Sequence, residues 1–135
     1  MISACELSAD KYAAQLAIEI KRINPNIHIF GVGSDASRQA GIDVRFDISG
    51  LSTVGLVEPL RYLPKLFKAL HKVKQMLEEE KPDIFIPIDN QGFHMQCCKK
   101  SRALGIATYY FIAPQHWHWG EQKHGHQVAV TLIMF

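Results

Sequence analysis

Asp89 closes a run of buried-strand residues, Ile84-Phe85-Ile86-Pro87-Ile88, and is followed by Asn90-Gln91-Gly92-Phe93, which suit a turn and a helix start. In an open α/β sheet, ligands bind in the crevice outside the carboxyl ends of the strands, so an acid at this point is placed for chemistry. An ordinary aspartate is ionised at neutral pH and is a weak base; it can orient a hydroxyl, accept its proton or stabilise developing positive charge. The competing task is to cap the next helix. A second polar loop, Ser3-Ala4-Cys5-Glu6-Leu7-Ser8-Ala9-Asp10, sits where a strand turns into a helix. Its free N–H groups can receive an anion, and helix capping by Ser8 and Asp10 is the alternative. Glu6 is harder to read as a cap. In the third loop, Ala113-Pro114-Gln115-His116-Trp117-His118-Trp119-Gly120, the two tryptophans alternate as in an extended segment. Their faces suit stacking on a ligand, with packing over the sheet edge as the alternative.

Other groupings carry less. His116-x-His118 and His124-x-His126 match no zinc spacing, and Cys97 and Cys98 lie far from them, so no metal is expected. Gly31-Val32-Gly33 is too short and too late for a dinucleotide fingerprint. No cofactor is expected. Three cysteines give no disulfide framework and fit a reducing compartment. The chain has 135 residues, 47% of them hydrophobic and 21% charged, with a formal net charge of +2. That fits one globular domain and argues against disorder and against nucleic acid as a partner. No apolar run approaches the roughly 18 to 20 residues needed to span a bilayer, so a cytoplasmic location is expected.

These loops need a scaffold, and hydrophobic periodicity supplies one. Ser8 opens a helix with apolar Tyr12, Leu16, Ile20 and Ile23, stopped by Asn24-Pro25-Asn26. Ile27–Phe30 reads as a strand running into Gly31–Asp35, then a brief helix to Gly41 and an edge strand over 43–47. A helical stretch from about Leu56 to Glu80 is interrupted by Pro59 and Pro64, the latter suited to the first turn of a new helix. Its predicted stripe is Leu63, Phe67, Leu70, Val73 and Leu77. After the Ile84–Ile88 strand come a helix to Leu104, closed by Gly105, a strand over 107–111, and a last buried strand over 128–135. Alternating strands and helices predict a parallel sheet in a Rossmann-like three-layer α/β sandwich. Residues 1–135 form the single domain, with the first strand mostly missing and the final strand lacking its helix, as in a fragment.

Together the three loops resemble those of lipid-A-disaccharide synthase. That family shows Ser-x-Gly-Glu-x-Ser-Gly-Asp, a Pro-Asp-x-x-Ile-x-Ile-Asp segment ending in Phe-Asn, and Ser-Pro-x-x-Trp-Ala-Trp. Gly31–Asp35, Ala40-Gly41, Phe46-Asp47-Ile48 and Val54–Glu58 also match in order, so the resemblance covers nearly the whole chain. It implies the amino-terminal half of a GT-B type inverting glycosyltransferase. The implied substrates are UDP-2,3-diacylglucosamine and 2,3-diacylglucosamine 1-phosphate, and the implied products are UDP and lipid A disaccharide 1-phosphate. The amino-terminal domain would supply the acceptor side, and an absent carboxy-terminal domain would hold UDP. On this resemblance Asp89 is the catalytic acid–base group, and Ser3, Glu6, Ser8, Asp10, Phe93, Gln115, Trp117 and Trp119 are substrate-binding. No Asp-x-Asp pair of the metal-dependent sugar-nucleotide kind is present. The chain departs from the pattern at Cys5 and Ala9, where the family has glycines, and at Gln91, Gly92 and His94. A side chain at Cys5 or Ala9 would obstruct a ligand or strain a turn needing positive φ. Lys65, Lys68, Lys72 and Lys74 flank apolar residues on the long helix, which suits peripheral contact with an anionic membrane, on the cytoplasmic face of the inner membrane, as well as an ordinary solvated face. Two other readings stay open: a catalytically inactive truncated fragment, and a sibling UDP-sugar enzyme of the same fold.

Overall fold

A computed structural model describes residues 1–51 and 59–111, with side chains described except at 59–62. Five parallel strands, β1 (Ile2–Ala4), β2 (Phe30–Gly33), β3 (Asp43–Asp47), β4 (Ile84–Ile88) and β5 (Ala107–Thr108), lie in the order β3-β2-β1-β4-β5. Helices α1 (Leu7–Ile23) and α2 (Asp35–Gln39) pack with one core cluster, and α3 (Pro59–Glu80) and α4 (Gln91–Ala103) contribute to the other. The three-layer Rossmann-like sandwich predicted above is the observed architecture. The strand of 128–135 and the loop of 112–126 lie outside the described residues.

β1 is short yet central, paired to β2 on one side and β4 on the other. Its neighbour β2 starts three residues later than the apolar pattern predicts, because the glycines are strand rather than loop. Gly31 has φ +150°, and a Cβ there would stand 1.9 Å from the Ile2 carbonyl oxygen. The missing side chain is what lets β1 and β2 approach.

α1 presses alanines, not its larger side chains, onto the sheet. Ala9, Ala13, Ala14 and Ala17 are buried, whereas Tyr12 and Ile23 are exposed and Leu16 and Ile20 only partly covered. Small residues allow the helix to sit close to the strands, a burial that a pattern of large apolar residues underreports.

α3 is one continuous helix. Pro59, not Pro64, occupies its first turn, where a missing N–H costs nothing, and Pro64 lies inside. Its buried stripe is Ala69, Leu70, Val73, Met76 and Leu77, with Leu66 partly covered. Leu63 and Phe67, predicted to be buried, are 43% and 64% exposed. The upper part of the helix therefore carries apolar side chains outward, beside Lys65 and Lys68.

β5 is shorter than predicted. Only Ala107 and Thr108 form regular ladder, although Tyr109 N–H still donates to the Phe85 carbonyl and Phe111 N–H to that of Pro87. The second bond carries β5 up to the level of the loop that follows β4.

Candidate active site at the strand ends

Between β1 and β4 the strand order reverses direction, and that is where a doubly wound sheet opens a crevice for ligands. The loops after these two strands hold the predicted residues. Asp89 leaves β4 in the left-handed region at φ 52°, and Asn90 follows at φ 46°. Asp and Asn tolerate this conformation best, but it still costs roughly 1 to 2 kcal/mol per residue relative to right-handed backbone. Among the described non-glycine residues only Lys81 shares it.

Several hydrogen bonds hold this turn. Asp89 N–H donates to the Phe111 carbonyl at 3.2 Å, and the Asp89 carbonyl accepts from Tyr110 Oη at 2.7 Å and from His94 Nδ1 at 2.6 Å. Asn90 caps α4, its side chain accepting from Phe93 N–H at 3.2 Å. Capping is thus the work of Asn90. Asp89 itself is exposed at the carboxyl end of β4.

The β1 loop is tied to the β4 loop twice. Asn90 Nδ2 donates to Glu6 Oε1 at 3.1 Å, across the point where the strand order reverses. Below it, Ser3 Oγ lies 2.9 Å and Cys5 Sγ 3.3 Å from His94 Nε2. Because the Asp89 carbonyl can only accept, His94 carries its proton on Nδ1, and Nε2 accepts from Ser3 or Cys5. Burial drives the His94 pKa down from 6.5 to about 4, with the Asp89 carbonyl bond opposing, so the ring is neutral at pH 7. Burial likewise pushes the Cys5 thiol and the Tyr110 phenol up, which keeps both protonated as hydrogen-bond donors.

The predicted site residues separate by position. Asp89, Glu6 and Ser8 are exposed around the crevice. Ser3 is fully buried and Phe93 is 4% exposed, edge-on to His94 with ring centroids 5.0 Å apart. Asp10 is turned inward: its carboxylate accepts from Ser34 N–H at 2.7 Å, Ala36 N–H at 3.0 Å and Ser37 Oγ. It caps α2, not its own helix, and neither Ser8 nor Asp10 caps α1, whose N-cap is Glu6 with no side-chain bond. Gln115, Trp117 and Trp119 lie outside the described residues.

Cys5 and Ala9 strain nothing by the route expected, since neither has positive φ. Ala9 is core, and Cys5 contacts His94, so two departures from the family pattern touch each other. His94 and Tyr110 were not singled out as functional by sequence reasoning. The available signal was a histidine four residues past the Asn90 cap, on the helix face that turns back toward the strand end. All three cysteines are free and buried, and burial holds the Cys98 thiol up to about 12. Among the described residues no group of three His, Cys, Asp or Glu side chains is arranged to hold a metal ion.

A parallel sheet with this strand order, reversing between β1 and β4 beside an exposed acid, defines a Rossmann-like α/β domain. The family model described as lipid-A-disaccharide synthetase matches residues 1–134. Similar curated proteins are the lipid-A-disaccharide synthases of Nitrosococcus oceani, 38% identical over 98% of this chain and 34% of that protein, and of Koribacter versatilis, 33% identical over 88% and 31%. That of Trichlorobacter lovleyi is 36% identical over 91% of this chain and 32% of its own length. The chain belongs to the lipid-A-disaccharide synthetase family, and it spans about a third of the length of the curated relatives it matches.

Proposed function

We propose that this chain is the acceptor-side domain of an inverting glycosyltransferase that makes lipid A disaccharide 1-phosphate. UDP-2,3-diacylglucosamine is the donor and 2,3-diacylglucosamine 1-phosphate the acceptor, with UDP leaving from a partner domain that holds the nucleotide. The observation that carries this reading is the exposed Asp89, released from capping and fixed by its peptide at the strand-order reversal. As the acceptor 6-hydroxyl attacks the anomeric carbon, Asp89 takes its proton and the bond to UDP breaks. Glu6, held by Asn90, and Ser8 offer hydrogen bonds to the sugar from the facing loop. Ser3, Asp10 and Phe93 act one layer back, by fixing the frame. Gln115, Trp117 and Trp119 keep their sequence-based reading as substrate-binding residues.

Acylated substrates imply work at a membrane surface. Leu63 and Phe67 are exposed on α3 beside Lys65 and Lys68, a pairing of apolar and cationic groups that favours an anionic bilayer. Among the described residues no helix is long and apolar enough to cross a membrane; the proposed contact by α3 is a peripheral one, on the cytoplasmic face. The reading is tested by Asp89→Asn in this chain joined to a domain that holds UDP, the form in which turnover of every variant is measured. Loss of the general base lowers turnover of the acylated donor and acceptor by roughly 10²- to 10⁴-fold, with the circular dichroism spectrum kept. Unchanged turnover removes Asp89 from the mechanism.

A further inference from the structure

We propose that His94 is a positioning residue whose Nδ1–H grips the Asp89 carbonyl and so keeps the Asp89–Asn90 turn left-handed, with Ser3 locking the ring from behind. The proposal rests on the reading of Asp89 as the crevice acid. Two successive non-glycine residues at φ 52° and 46° do not stay there unless the surroundings hold them. The Asp89 peptide is fixed at both ends: its N–H is bonded to Phe111, and its carbonyl accepts two donors, His94 Nδ1 at 2.6 Å and Tyr110 Oη at 2.7 Å. Of these, His94 is the one that joins the two loops of the crevice, because its other nitrogen faces Ser3 of β1 at 2.9 Å.

The ring has one way to satisfy this arrangement. A carbonyl accepts and does not donate, so the proton sits on Nδ1 and the Nε2 lone pair meets the Ser3 hydroxyl. Its orientation is fixed by full burial and by edge contacts with Phe93 and Tyr110, at centroid distances of 5.0 and 6.2 Å. Ser3 and His94 are both buried and hydrogen-bonded, so the link from β1 to the β4 turn is rigid and dry. A turn set this way aims the Asp89 carboxylate without using the carboxylate itself, leaving its oxygens to the acceptor hydroxyl.

Two substitutions separate this role from general packing. Asparagine at 94 places an amide N–H near the position of Nδ1 and keeps the Asp89 bond, whereas glutamine reaches toward the position of Nε2 and keeps only the Ser3 side. Nitrogen-15 spectra of the unsubstituted chain are expected to show the Nδ1-protonated tautomer. Backbone couplings and Cα shifts at Asp89 and Asn90 are expected to stay left-handed in His94→Asn and to move toward right-handed or averaged values in His94→Gln. In turnover, His94→Gln lowers kcat about 10- to 100-fold with KM little changed, as expected for a misaimed group, and His94→Asn restores most of it. An Nε2-protonated ring in the unsubstituted chain, or a left-handed turn in His94→Gln, overturns the proposal; the first of these needs no variant to fold. If Asp89→Asn leaves turnover intact while His94→Gln still unwinds the turn, the catalytic reading fails and the positioning role stands.

Discussion

Single side chains decide how this site is read, and the decisive one is Asn90. A carboxylate at a strand end has two ordinary tasks, and by capping α4 Asn90 takes one of them. Asp89 is thereby left for the proposed role at the acceptor hydroxyl. The same small region contains a group whose titration reports on folding. His94 is buried with its pKa near 4, against an unfolded value of 6.5, so between those values the unfolded chain binds a proton that the folded chain does not. Stability therefore rises with pH across that window and falls as the medium is acidified from about 6.5 to 4. One proton corresponds to a slope of up to about 1.4 kcal/mol per pH unit. Urea unfolding of the unsubstituted chain and of His94→Asn, measured from pH 4 to 7, should give curves that converge toward low pH. Parallel curves contradict a neutral, buried His94.

At the scale of elements, the strand and helix order was readable in the sequence and the orientation of faces was less so. β3, β4 and α4 follow from β-branched runs, a Gly stop and turn residues, and they fall where predicted. β2 was displaced because Gly31 looks like a loop residue until the close approach of β1 is seen. In α1 the apolar periodicity marks the helix, and Leu16 and Ile20 do pack partly against the core, but the alanines that make the closest sheet contact carry little hydrophobic signal. Asp10 reads in the sequence as a substrate-binding residue, with capping of its own helix as the alternative, yet its carboxylate is bonded at the start of α2, more than twenty residues on, and no local pattern encodes that. Three loops were legible as a set, but the ring that joins two of them was not, since His94 reads alone as an altered residue in a helix.

The misassigned face of α3 bears a testable consequence. With Leu63 and Phe67 exposed beside Lys65 and Lys68, the chain is expected to float with vesicles containing anionic phosphatidylglycerol and much less with neutral ones. The double variant Lys65→Glu, Lys68→Glu should abolish the difference, because each basic residue near such a surface contributes about 1 kcal/mol. Binding that ignores these changes sinks the membrane role of α3. Lys65 also donates to the Gly50 carbonyl at 3.2 Å, so Lys68→Glu alone is the cleaner charge reversal.

Among the described residues the two ends of the sheet differ in what they present. At the carboxyl ends stands the crevice with Glu6, Ser8 and Asp89. At the other end a cavity of about 610 Å³ opens between the starts of β2 and β4, lined by Ile27, Ile29, Ile84 and Ile86 together with His28 and Asp83. Its walls are mainly aliphatic and it lies away from Asp89 and the turn built around it. The rule that ligands bind at the strand-order reversal outside the carboxyl ends favours the crevice, and so does the effort spent on the left-handed turn there. Mapping amide shifts during titration with a short-acyl 2,3-diacylglucosamine 1-phosphate tests this choice directly. Changes are expected to concentrate at Glu6–Ala9 and Asp89–Gly92, with the residues at the other end of the sheet quiet. Changes confined to Ile27–Ile29 and Asp83–Ile84, with Asp89 and Glu6 unmoved, would contradict it.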